Sequence, residues 1–185
     1  MTTSFPLLLT ALTLRVFFLV LFTGAYIWLS AAFLTGIDRV PPPQRIKMTR
    51  AVTHRMLVVT WIFLLFAIIG GALTAYVTEP SLIAEATDIS ALTAVLSTPH
   101  GVILALEVVV TLLMVVVNAA MQFVYLPRMS VPIEELESPS KGLKWLSSKY
   151  TQRAIRAIRA ISYLSLTNIV IGVIAIALGV LYSHI

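Results

Sequence analysis

A handful of polar side chains embedded in apolar runs carry whatever chemistry this chain performs. Within Leu96–Met129, His100, Glu107, Asn118 and Tyr125 recur at spacings of seven, eleven and seven, with Thr111, Met114 and Gln122 on or beside the same line. These spacings place them on one stripe of an α-helix. Such a stripe cannot face lipid, so it is expected to face other helices or a cavity, and Glu107 requires a partner. Arg15 supplies one. It lies nine residues in from Pro6 and Glu107 lies eight beyond Pro99. At ~1.5 Å per residue both charges sit at roughly 12–13 Å along their helices. Opposite charges at matched depth predict an interhelical ion pair, which either locks two helices together or lines a proton, ion or cofactor site.

Two kinds of metal chemistry are open to the remaining residues. His100, Met114 and Met121 offer imidazole and thioether, which suit copper. A b-type haem would draw on His54, on His100, or on Met121 as an axial ligand, with Arg15 neutralising a propionate; His184 lies on the same outer side as His100. Cysteine is absent, which excludes disulfides, zinc–thiolate sites, c-type haem attachment and thiol catalysis. A hydrolase or transferase is the least expected class, since there is no nucleophile–base pairing, phosphate-binding glycine loop or paired carboxylate site.

The elements that position these residues are membrane spans. Hydrophobic residues make up 59% of the 185, and four runs exceed the roughly 18 apolar residues that mark a spanning helix. They are read as Pro6–Leu34, Val52–Val77, Pro99–Leu126 and Ala154–Tyr182. The fold class expected is all-α, an antiparallel bundle of four transmembrane helices in a single domain over 1–185. The first run is not expected to be a signal peptide, because it lacks a basic n-region, is too long and is interrupted by Arg15.

Net charge is +5, and its distribution reads as topology rather than as a nucleic-acid footprint. The first and third connections are basic, whereas the second has no Lys or Arg and carries Glu79, Glu85 and Asp88. The positive-inside rule then puts both termini outside and both basic connections in the cytoplasm. Pro41-Pro42-Pro43 predicts a short extended segment, and Ile83–Leu96 a short surface helix. Residues 139–153, with Lys141, Lys144, Trp145, Lys149 and Arg153, read as a cytoplasmic amphipathic lead-in held by anionic lipid headgroups. In the second run His54, Trp61, Ile68 and Ala72 share a face, while Gly70-Gly71 and Thr74 permit close helix approach. In the fourth, Ser165, Asn168, Gly172, Ala175 and Gly179 form a small-residue stripe, from which Asn168 is expected to reach the Asn118 stripe.

The third run resembles the copper-resistance D (CopD) family of bacterial and archaeal membrane proteins. In that family the equivalent helix opens with a Thr-x-Tyr-Gly-like turn, carries a Lys one-third along and then an Asn, and closes with Leu/Val-Pro-Arg-Leu. Here those places hold Thr98-Pro99-His100-Gly101, Glu107, Asn118 and Leu126-Pro127-Arg128-Met129. The first run is similar to the family's His-(x)6-Trp-x-Gly pattern through Arg15, Phe22 and Gly24, and the fourth to its Glu-(x)3-Gly pattern through Asn168 and Gly172. The family's His, Lys, Trp and Glu at these positions are replaced, so a cation/His arrangement becomes a possible salt bridge. The resemblance implies metal (copper) handling or transport. The residues also admit a haem-b protein for electron transfer or haem handling, and an accessory scaffold without chemistry. The expected setting is the plasma membrane of a prokaryote, as a homo-oligomer or part of a larger membrane complex, with no nucleic-acid partner.

Overall fold

The computed structural model describes residues 4–78, 96–130 and 149–182. It is an all-α four-helix bundle, and all four helices are long and apolar enough to cross a membrane. Helix α1 spans Ser4–Ile27 and continues as a π-helical turn over Trp28–Leu34 and a 3-10 turn over Ile37–Arg39. Helix α2 spans Pro42–Thr78, α3 spans Pro99–Ala119, and α4 spans Lys149–Tyr182. Like α1, α3 runs on into a π turn, Ala120–Tyr125, and a 3-10 turn, Pro127–Met129.

Helix starts follow from local chemistry. Thr98 caps α3 by accepting the Gly101 backbone N–H at 3.0 Å on its hydroxyl, with Pro99 in the first helical position where a missing N–H costs nothing. The proline run behaves differently from the extended segment its composition predicts. Only Pro41 lies outside the helix; Pro42 opens α2, because proline's fixed φ already suits a first helical turn. In consequence α2 begins ten residues before the expected Val52, and α4 five before Ala154. At 37 residues α2 is about 55 Å long, well beyond a ~30 Å hydrocarbon core, so its basic first turns extend past the span. The expected helix at 83–96 falls outside the described residues except for Leu96, and of the lead-in at 139–153 only 149–153 are described, as the start of α4.

The chain packs as two compact units. One comprises the described residues of Met1–Thr23, Trp61–Val115 and Val170–Ile185; the other comprises Gly24–Thr60 and Val116–Ile169. Each helix contributes to both. Burial is confined to narrow stripes at three- and four-residue steps, such as Ile161, Ser165, Asn168, Gly172, Ala175 and Gly179 on α4. Stripes of this period are the seam of shallow-angle helix packing. Outward positions such as Val116 (63% exposed) and Phe123 (70%) are apolar, as a lipid-facing surface requires.

The stripes repeat. Buried Ala11, Arg15, Phe22, Tyr26, Leu29, Leu34 and Ile37 of the first helix are matched 92 residues later by buried Ile103, Glu107, Met114, Asn118, Met121, Leu126 and Met129. Buried Ile46, Thr53, Leu57, Thr60, Leu64 and Ala67 of α2 are matched 108 residues later by Ala154, Ile161, Ser165, Asn168, Gly172 and Ala175 of α4. The chain therefore builds one helical hairpin twice, with the π turns at corresponding places.

Candidate functional site in the bundle interior

Each unit holds an interior polar node that joins all four helices, and the second also buries the hydroxyls of Thr49, Thr53 and Thr151 without hydrogen-bond partners. In the first, Nη2 of Arg15 lies 2.5 Å from Oε2 of Glu107, with the side chains 6% and 2% exposed. The ion pair expected from matched depth is formed. The even-numbered helices close on it with glycines. A Cβ added at Gly70 would stand 2.9 Å from the Arg15 backbone nitrogen, so α2 reaches the α1 backbone there only because the side chain is absent. Gly71 faces the Arg15 guanidinium and Gly179 of α4 faces Oε1 of Glu107, each at 3.7 Å from a built Cβ. The charges remain incompletely satisfied, since Nη1 of Arg15 and Oε1 of Glu107 have no hydrogen-bond partner. Groups of this kind are costly away from water.

The second node is neutral. The Tyr26 hydroxyl donates to Oδ1 of Asn118, both residues being almost wholly buried. Thr60 places its hydroxyl 3.5 Å from the same Oδ1 while bonding the Leu57 carbonyl at 3.0 Å. Asn168 lies beside the same phenol, yet neither of its amide atoms completes a hydrogen bond, and Nδ2 of Asn118 also lacks a partner. The expected Asn118–Asn168 bond is not made: Nδ2 of Asn118 and both amide atoms of Asn168 stay without partners. Each node thus draws on all four helices, with Arg15 and Gly71 matched by Glu107 and Gly179, and Tyr26 and Thr60 by Asn118 and Asn168.

Neither Tyr26 nor Thr60 stands out in the sequence by type. The available signal was spacing: Tyr26 follows Arg15 by the same eleven residues that separate Asn118 from Glu107. Depth matching that pairs the charges therefore also pairs the phenol with the amide.

No family model, curated protein or solved structure matches this chain. Its function must be argued from the site.

The expected metal ligands are dispersed. His100 is half-buried and packs edge-on against Tyr182, with ring centroids 5.5 Å apart, while Tyr182 meets the Thr78 hydroxyl at 2.5 Å. Met114 and Met121 are fully buried. His100 and Met114 are fourteen residues apart on α3, about 21 Å, so one ion is not held by both. Among the described residues no three His, Cys, Asp or Glu side chains converge. Of the expected haem ligands, His54 lies on the exposed face of α2 with Ile68 and Ala72, His100 packs its ring against Tyr182, and His184 is outside the described residues. Of the α3 stripe, Glu107, Met114 and Asn118 are buried, and Thr111, Gln122 and Tyr125 half-buried.

Proposed function

We propose that this chain is a multi-pass membrane protein that transports a metal cation, and that the cation, or a proton travelling with it, competes with Arg15 for Glu107. The observation that carries this reading is the Arg15–Glu107 pair itself, buried in apolar helices with one nitrogen and one oxygen unpartnered. A buried ion pair is a poor packing device, since apolar residues of similar volume serve as well or better. Charges inside a membrane mark ion and proton pathways instead. Displacement by a cation is chemically simple here. Glu107 releases the guanidinium when its own charge is neutralised, and Arg15 retakes it when the cation leaves.

Copper is the cation implied by the resemblance to the copper-resistance D family. The buried thioethers of Met114 and Met121 are ligands of the soft type that copper(I) prefers. His100, near the start of α3, offers an imidazole at the end that the loop charges place outside. The setting proposed is the plasma membrane of a prokaryote.

The test is copper(I) uptake by proteoliposomes holding the full chain, with and without an imposed pH gradient. Uptake above that of empty liposomes is expected, and Glu107→Gln should abolish it while the protein still inserts. Wild-type uptake equal to that of empty liposomes would refute transport and leave a helical scaffold for other subunits.

A further inference from the structure

The repeated hairpin places a surface groove over overlapping positions in each copy, with opposite chemistry. In the first hairpin a groove of about 310 Å³ is lined by Trp28, Phe33, Gly36 and Met48, among others. In the second a groove of about 330 Å³ is lined by Tyr125, Arg128, Arg153, Arg156 and Ala157. The constant offsets relate three of their lining positions, placing Tyr125 where Phe33 stands, Arg128 where Gly36 stands and Arg156 where Met48 stands, while Arg45, at the place of Arg153, lines a different groove. The fold therefore does not require arginine at these places. Glycine and methionine suffice in the first hairpin.

Three guanidinium groups lining one groove repel each other. Arg45, the counterpart of Arg153, is neutralised by an ion pair with Asp38. Among the described residues Arg128, Arg153 and Arg156 form no such pair. One of them is nonetheless held in place, since the Arg128 guanidinium carbon lies 5.3 Å from the Tyr125 ring centroid in a cation–π contact. Arg153 and Arg156 stand three residues apart on the same face of α4. Ala157, buried beneath them, leaves the groove its depth.

We propose that this groove binds a phosphate group, gripped by Arg128, Arg153 and Arg156. Guanidinium forks match phosphate oxygens two at a time, which separates arginine from lysine at such a site. The groove lies where α3 ends and α4 begins, the end of both spans that carries basic connections, within reach of anionic lipid headgroups. A soluble phosphate compound would present the same chemistry.

The experiment uses the full chain in neutral detergent, titrated with phosphatidylglycerol in mixed micelles and, separately, with inorganic phosphate, reading bound ligand by native mass spectrometry. Saturable binding of at least one probe is expected, weakened about fivefold by each of Arg128→Gln, Arg153→Gln and Arg156→Gln. Binding of the lipid alone would identify a headgroup as the source of the phosphate; binding of inorganic phosphate that the lipid does not displace would identify a soluble compound. A variant with all three arginines changed to lysine keeps the charge and should still lose most of the binding. Three outcomes overturn the proposal: neither probe binds, the lysine variant binds as the wild type does, or Arg39→Gln, Arg50→Gln and Arg55→Gln cost as much.

Discussion

In one unit a guanidinium meets a carboxylate between helices brought close by Gly70, Gly71 and Gly179; in the other a phenol meets an amide beside a threonine and a second amide. Within each node the residues come from corresponding positions of the two hairpins, but the nodes themselves lie eleven residues apart along the first and third helices. The charged node demands close glycine contacts that exclude lipid and hold opposite charges together. The neutral node tolerates fuller side chains, because an imperfectly bonded amide costs far less than an unpaired charge. A switchable site belongs at the node where one protonation or one cation changes the balance most.

That contrast can be broken most directly at Glu107. Glu107→Gln leaves Arg15 charged and buried without a partner, and thermal unfolding in detergent should show a loss of about 3–5 kcal/mol. Adding Arg15→Met should recover part of it, whereas additive losses would refute the pairing. A smaller effect is expected at Gly70, where an alanine methyl would meet the Arg15 backbone rather than a side-chain tip. Gly70→Ala should cost about 1–3 kcal/mol by the same measurement, while Gly36→Ala, with nothing near its Cβ position, should cost almost nothing. The smallest change belongs to the neutral node. Tyr26→Phe removes one donor and should cost about 1 kcal/mol. If it costs as much as Glu107→Gln, the distinction between the nodes is lost.

Much of this was legible in the sequence. The Arg15–Glu107 pair followed from depth alone, because both helices carry a proline in their first turn and run in the same direction. The α4 stripe followed from its small residues, which are all buried. The neutral node was not read, because a tyrosine and a threonine in an apolar helix satisfy themselves in many ways, and only a shared offset singles them out. The start of α2 was misplaced because adjacent prolines favour an extended chain in isolation, while the same φ is also that of a first helical turn. The dispersion of His100, Met114 and Met121 was already implied by their spacing along one helix.

The π turns have a consequence for how this chain tolerates insertion and deletion. On α1 the buried positions step from Leu29 to Leu34, and on α3 from Met121 to Leu126, five residues where an α-helix would advance three or four. The Leu126 amide bonds back to the Met121 carbonyl at 2.9 Å across that wider turn. Each π turn therefore stores one surplus residue without rotating the residues beyond it. Deleting a residue inside it would tighten the turn to α winding, the shortening confined to the turn. The same deletion a few turns earlier would swing every later side chain by about 100° and carry the inward stripe out into lipid.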